Sequence, residues 1–207
     1  PITLLFLKKL VDKWSINTFY LALASLVILS MVDPRVGVIS LLTIGIWAAL
    51  EGRIRESLRL VPLTIAWFAL SMYWIFPLSM NATKTITATT SPAIRWYHLF
   101  TLFSPHWPDN IFGSISKPPY YFVGICILLF IGSLRQKRFG LLFLIFGLFT
   151  LGIFPFSKLP FGFALRDTTK FFIPLTLFVG ILVGSAIDRF KNNLVHILVW
   201  GYILFLI

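Results

Sequence analysis

Apolar stretches of near-bilayer length, each bordered by a short basic run, limit the folds open to this chain more than any other feature. Seven can be placed by periodicity and composition, over residues 16–32, 36–50, 60–79, 120–134, 139–156, 171–187 and 194 onward. Lys8, Lys9, Lys13, Arg53, Arg55, Arg59, Arg135, Lys137, Arg138, Arg189 and Lys191 crowd the short loops on one side. The other seven cations, Arg35, Lys84, Arg95, Lys117, Lys158, Arg166 and Lys170, are spread over loops more than twice as long. By the positive-inside bias, this contrast predicts an all-α, polytopic transmembrane helical bundle with a cytoplasmic N-terminal end. Loops 80–119 and 157–170 are then extracytoplasmic, and 51–59, 135–138 and 188–193 cytoplasmic.

Composition points the same way, because 58% hydrophobic and 12% charged residues, with a mean hydropathy of +0.90, lie far from the roughly 25% charged content of soluble domains. The net charge of +11 would suggest nucleic acid in a soluble chain. Here it borders apolar segments, where it meets anionic lipid headgroups, and nucleic acid is not implied. Cys126 has no intrachain partner, so its expected role is packing. The chain opens at Pro1 and closes inside an apolar run shorter than the ~20 residues a span needs. We therefore expect one transmembrane domain over 1–207, a piece of a longer protein, with further helices supplied by the rest of that protein or by a partner subunit.

The tight turn Asp33-Pro34-Arg35 predicts a helical hairpin, since Pro suits a first helical position where its missing N–H would be unpaired anyway. Its second arm, 36–50, is short enough to cross only just or to be partly re-entrant. The long loop 80–119 opens with a Thr-rich stretch and then turns aromatic. Ile94, Tyr97, Phe100 and Phe103 recur at steps of three, as in a short helix lying along the interface, so an ordered, functional loop is expected. Gly180 and Gly184 form a small-xxx-small pair that would admit a close neighbouring helix, against an equal weight for chance. The excess of Phe and Trp reads as lipid-facing and interfacial surface.

No Walker loop, GxGxxG, HExxH, GxSxG or paired CxxC occurs. The sharpest cluster is Leu165-Arg166-Asp167-Thr168-Thr169-Lys170-Phe171, at the outer start of a helix. A helix N-terminus carries partial positive charge, so two cations there are unfavourable by a few tenths to about 1 kcal/mol unless an anion sits between them. A lipid phosphate or pyrophosphate held by Arg166 and Lys170 supplies one. The competing account is a snorkelling pair, with an Arg166–Asp167 contact and Asp167 or Thr168 as N-cap.

Ser104-Pro105-His106-Trp107-Pro108-Asp109-Asn110 is the second cluster. His106 offers a base or metal ligand and Asp109 a carboxylate; the plainer account is a Pro-anchored interfacial turn. His98 and Arg95 are near enough in sequence to add phosphate contacts. No cofactor is named by these residues. A divalent metal stays open, but no metal-ligand set is assigned. His196, inside the last apolar run, reads as packed or hydrogen-bonded. Intramembrane charges are otherwise nearly absent, which disfavours an ion pump and favours chemistry at the outer membrane surface.

With its long aromatic outer loop, its Pro-Asp-Asn turn and Leu-Arg-Asp-Thr-Thr-Lys-Phe at a helix start, the stretch 80–180 resembles the middle of a GT-C superfamily membrane glycosyltransferase. The likeness is to the YfhO-like and arabinofuranosyltransferase-like proteins, whose Arg-x-Pro-x-Arg/Lys-Phe/Trp pattern is matched by Arg166, Lys170 and Phe171, with Thr168 in place of Pro. The resemblance implies a polyprenyl-phosphate-linked sugar donor, bound at the outer leaflet, and inverting transfer to an acceptor. It also implies a catalytic carboxylate in the first outer loop. Asp33-Pro34-Arg35 is too short to be that loop, so the base is expected upstream of Pro1, with Asp109 the weaker candidate and Arg166, Lys170 and Arg95 on the donor phosphate. Two other classes stay open: a transporter or flippase of lipid or lipid-linked sugar, which needs a polar groove, and a noncatalytic membrane scaffold that docks through the aromatic loop.

Overall fold

The computed structural model describes residues 1–81, 123–154, 168–190 and 196–201, with side-chain surroundings given for 1–72, 123–154, 170–190 and 196–201. All regular structure in these residues is helical. Packing divides the chain into two units: the first is Pro1–Ser91 with Pro155–Lys170, the second Pro92–Phe154 with Phe171–Ile207.

The first unit contains α1 (Ile2–Asp12), α2 (Ile16–Val32), α3 (Pro34–Leu50), the single turn α4 (Ile54–Ser57) and α5 (Leu60–Asn81). Helix α1 was not among the expected apolar segments. It forms because Leu7, Leu10 and Val11 share one face and are fully buried, while Lys8 and Lys9 stay exposed. Ser15 caps α2, its hydroxyl accepting from the Thr18 N–H at 3.1 Å. The predicted hairpin is present. Asp33 ends α2 through its N–H to the Leu29 carbonyl and starts α3 by accepting from the Arg35 N–H at 3.0 Å, with Pro34 in the first turn. One residue thus serves as both caps. Helix α3 stops where Gly52 takes φ +72°, returning N–H groups from Gly52 and Arg53 to the carbonyls of Ala49 and Ala48. Inside the unit, buried Trp67 on α5 donates its indole N–H to Ser30 on α2 at 2.8 Å. Gly37 on α3 makes room for that pair, since a Cβ there would lie 2.5 Å from the Ser30 hydroxyl.

The second unit contains α6 (Val123–Arg135), α7 (Lys137–Thr150) and α8 (Phe172–Ile187), the last preceded by a 3₁₀ turn over Thr168–Phe171. Helix α7 ends six residues before the expected position 156, because Gly152 at φ +71° turns the chain back onto Phe149 and Leu148. Phe146, Phe171 and Phe178 are fully buried and meet edge to face or tilted, with Phe146 centred 5.6 Å from Phe178 and 6.0 Å from Phe171. These three rings are core, while Phe68, Phe130 and Phe154 are exposed. The close helix approach is real but lies elsewhere than expected. Nothing comes within 4 Å of a Cβ built on Gly180 or Gly184, whereas one on Gly132 of α6 would sit 2.1 Å from the Leu182 carbonyl oxygen of α8. Leu175, Phe178 and Leu182 make the buried face of α8. Gly180 and Gly184 each follow one of these by two residues, a rotation of about 200°, and so lie on the opposite side.

Among the described residues no helix is long and apolar enough to cross a membrane. Helices α2 and α3, at 17 residues each, reach about 26 Å at 1.5 Å per residue, against the ~30 Å of a bilayer's hydrocarbon core. Helix α5 runs 22 residues, its side chains described as far as Met72.

Candidate functional site

The α2–α3 turn carries the only cluster among the described residues that involves a cation expected to hold phosphate. Asp33, needed there as a cap, keeps its carboxylate largely covered, with 17% of the side chain exposed. Arg35, two residues on, wraps back onto it: Nε donates to Oδ1 at 2.9 Å and Nη2 to Oδ2 at 3.0 Å. This two-pronged contact fixes the guanidinium plane. The Lys170 Nζ, at the end of the 3₁₀ turn, lies 3.4 Å from Asp33 Oδ2. Two cations thus converge on one carboxylate, and the three side chains sum to a single positive charge. Burial pushes the Asp33 carboxyl up, but hydrogen bonds from the Arg35 side chain and backbone, with the nearby Arg35 and Lys170 charges, outweigh it and hold it below the usual Asp value. It is therefore a fixed anion at neutral pH, able to orient cations rather than to carry a proton.

The structure brings together only one of the five site residues expected from sequence. Lys170 is placed, half-buried, on Asp33. Arg95, His106, Asp109 and Arg166 lie outside the described residues, as do the long loop beyond residue 81 and the interfacial helix expected within it. Asp167, one of the two expected N-caps, lies outside as well. Helix α8 itself starts at Phe172, with Phe171 at its N-cap and no side-chain cap bond. Asp33 and Arg35 were not counted as site residues. A usable signal was present, since Asp-Pro-Arg is a cap whose acid and base are only two residues apart and were assigned to the same side as Lys170.

Several other described charges make structural contacts within the first unit. Asp12 pairs with Lys8 at 2.6 Å and with Arg53, which hold its carboxyl low against the opposing effect of burial. Arg59 closes α1 by donating to the Val11 carbonyl at 2.6 Å. The Lys8 ammonium lies 5.1 Å from the Trp47 ring centre. His196 donates from Nε2 to the Phe190 carbonyl, as expected of a hydrogen-bonded residue. No group of three or more His, Cys, Asp or Glu among the described residues is placed to hold a metal ion.

Comparison with known proteins adds no relative: no family model, no curated protein and no solved structure matches the chain.

Proposed function

We propose that the chain belongs to an integral-membrane glycosyltransferase that takes a polyprenyl-phosphate-linked sugar at the outer leaflet, with Lys170, Arg166 and Arg95 on the donor phosphate. The observation that carries this reading is the attachment of Lys170 to Asp33 beside Arg35. A sequence-expected phosphate ligand is thereby held in a cationic cluster at the end of a helical hairpin. An ammonium donates three hydrogen bonds and is a compact point charge, so Lys170 can turn from Asp33 toward a phosphate oxygen while the forked Arg35 contact stays in place.

Exposed apolar surface supports the bilayer as solvent. Tyr20, Ile28, Met31 and Val32 on α2 and Ile65 and Leu70 on α5 are each more than half exposed, a display that soluble monomers rarely maintain over contiguous areas. The polytopic arrangement, the extracytoplasmic side of loops 80–119 and 157–170, and a base role for Asp109 or His106 are parts of the same proposal.

The test is sugar transfer by the purified whole protein in lipid, supplied with polyprenyl-phosphate sugar and acceptor. Release of polyprenyl phosphate should require acceptor and should fall about ten- to a hundredfold in Lys170→Ala, the value of a charge-assisted contact of roughly 1.5–3 kcal/mol. Donor movement between leaflets without transfer would instead assign a flippase. Neither activity over a broad donor panel would leave a scaffold.

A further inference from the structure

At the end of α8 far from Phe171, an open surface cleft of about 410 Å³ lies in the second unit, lined among the described residues by Leu134, Arg135, Asp188 and Arg189, all exposed. Its size falls in the ~300–1,000 Å³ range that takes a small molecule rather than a single ion. The two cations in its wall are not equivalent. Arg135 is anchored, its Nη1 donating to the Ser185 carbonyl at 3.1 Å, which fixes the guanidinium at the C-terminus of α8 and leaves its other N–H groups for a ligand. Among the described residues the Arg189 side chain has no hydrogen-bond or ion-pair partner, and Asp188 makes no ion pair with either arginine, although all three line the same space.

Attraction of cations to helix C-termini accounts for the Arg135 contact. It does not account for an open cleft with a second guanidinium in its wall that pairs with no described residue. A line of exposed apolar side chains leads to the same place. Val123, Ile127, Phe130 and Leu134 follow each other on α6 at steps of four, three and four residues, each 54–66% exposed, and the line ends at the cleft wall. These eleven residues of rise measure roughly 16 Å.

We infer that this cleft is a binding site for a phosphate ester, its phosphate received by Arg135 and Arg189, its headgroup hydroxyl or amine donating to Asp188, and an acyl chain lying along the α6 line. The site is separate from the Lys170 cluster and does not depend on the glycosyltransferase reading. Two guanidinium groups match the oxygens of a phosphate better than two ammonium groups would, because each presents paired N–H donors in a plane.

The test is native mass spectrometry of the purified chain in non-ionic detergent, titrated with phosphatidylglycerol, in a Lys170→Ala background that removes the other expected phosphate ligand. One lipid per chain should be retained. Arg189→Ala should lower its apparent affinity about ten- to a hundredfold, and Arg189→Lys by less. The thermal midpoint of Arg189→Ala should match its parent, since the Arg189 side chain is exposed and ties no other described residue in place. Inorganic phosphate that fails to displace the lipid would identify an acylated ligand; displacement at comparable concentration would identify a soluble phosphate ester in the same site. Wild-type lipid affinity in both Arg189→Ala and Arg189→Glu would overturn the assignment.

Discussion

The two units solve the problem of holding helices together by different means. In the first, polar and ionic ties recur at helix ends and between helices: Asp33 on Arg35 and Lys170, Asp12 on Lys8 and Arg53, Arg59 on the end of α1, and Trp67 on Ser30. In the described part of the second, the contacts are edge-to-face and tilted phenylalanine rings and one glycine pressed against a neighbouring backbone, with the Arg135–Ser185 bond as a polar tie between α6 and α8. The first should therefore respond to charge and pH, and the second to side-chain volume. A buried ring has no substitute contact when it is removed. A carboxylate at a helix end keeps part of its job even without its charge.

The largest effect should come from Phe146→Ala. That ring touches Phe149, Phe171 and Phe178 at centroid distances of 5.6, 6.0 and 5.6 Å, and it is fully buried. Loss of about 3–5 kcal/mol is expected, as for other large-to-small core changes at Phe. Hydrogen exchange should accelerate over 137–150 and 172–187 while α2 and α3 keep their protection. Equal acceleration in both units would remove the contrast between them.

Gly132→Ala tests the same unit from the opposite direction, by adding volume. The new Cβ would lie 2.1 Å from the Leu182 oxygen and 2.7 Å from its carbonyl carbon, backbone atoms that cannot rotate aside. Separation of α6 from α8 should cost about 1–3 kcal/mol. Gly180→Ala, by comparison, meets nothing within 4 Å and should be close to neutral or slightly stabilising through helix propensity. A matching loss at Gly180 would mean that the exposed side of α8 is itself a packing face.

Much of this architecture was legible in the residues. Helix α2 falls on the expected 16–32, and Asp33-Pro34 gives the hairpin because cap and first-turn chemistry are local. What was missed has physical reasons. Helix α1 was hidden because it is only 11 residues long and Lys8 and Lys9 interrupt its apolar run, so it fell below the length of a membrane segment. The early stop of α7 was written in Gly152, but a glycine inside an apolar run signals a left-handed turn only once its neighbours' hydrogen bonds are known. The choice of Gly132 over Gly180 and Gly184 depends on which face of each helix is buried, and nearly uniform hydrophobicity around α8 conceals that face. At the site, Lys170 was found by its charge at a helix start. Its attachment to Asp33 spans 137 positions, and no local pattern encodes such a pairing.

The smallest effect, and the one that bears most directly on the ionic side of the contrast, should come from acid. Asp33 has a folded-state pKa below its unfolded value of about 4, so its contribution is complete above the unfolded value and is lost as pH falls through the folded one. As pH falls below about 4, amide protection around the α2–α3 turn should therefore decline. Asn caps a helix about as well as Asp, so Asp33→Asn removes the charge and keeps the cap. The variant should lose a modest amount of stability at pH 7, roughly 1 kcal/mol for partly exposed pairs, and its turn should lack the acid-dependent decline of the parent. Helices α7 and α8 should show neither change. An Asp33→Asn turn that still loosens with acid as the parent does would place the responsible carboxylate elsewhere and leave Lys170 held by something other than this charge.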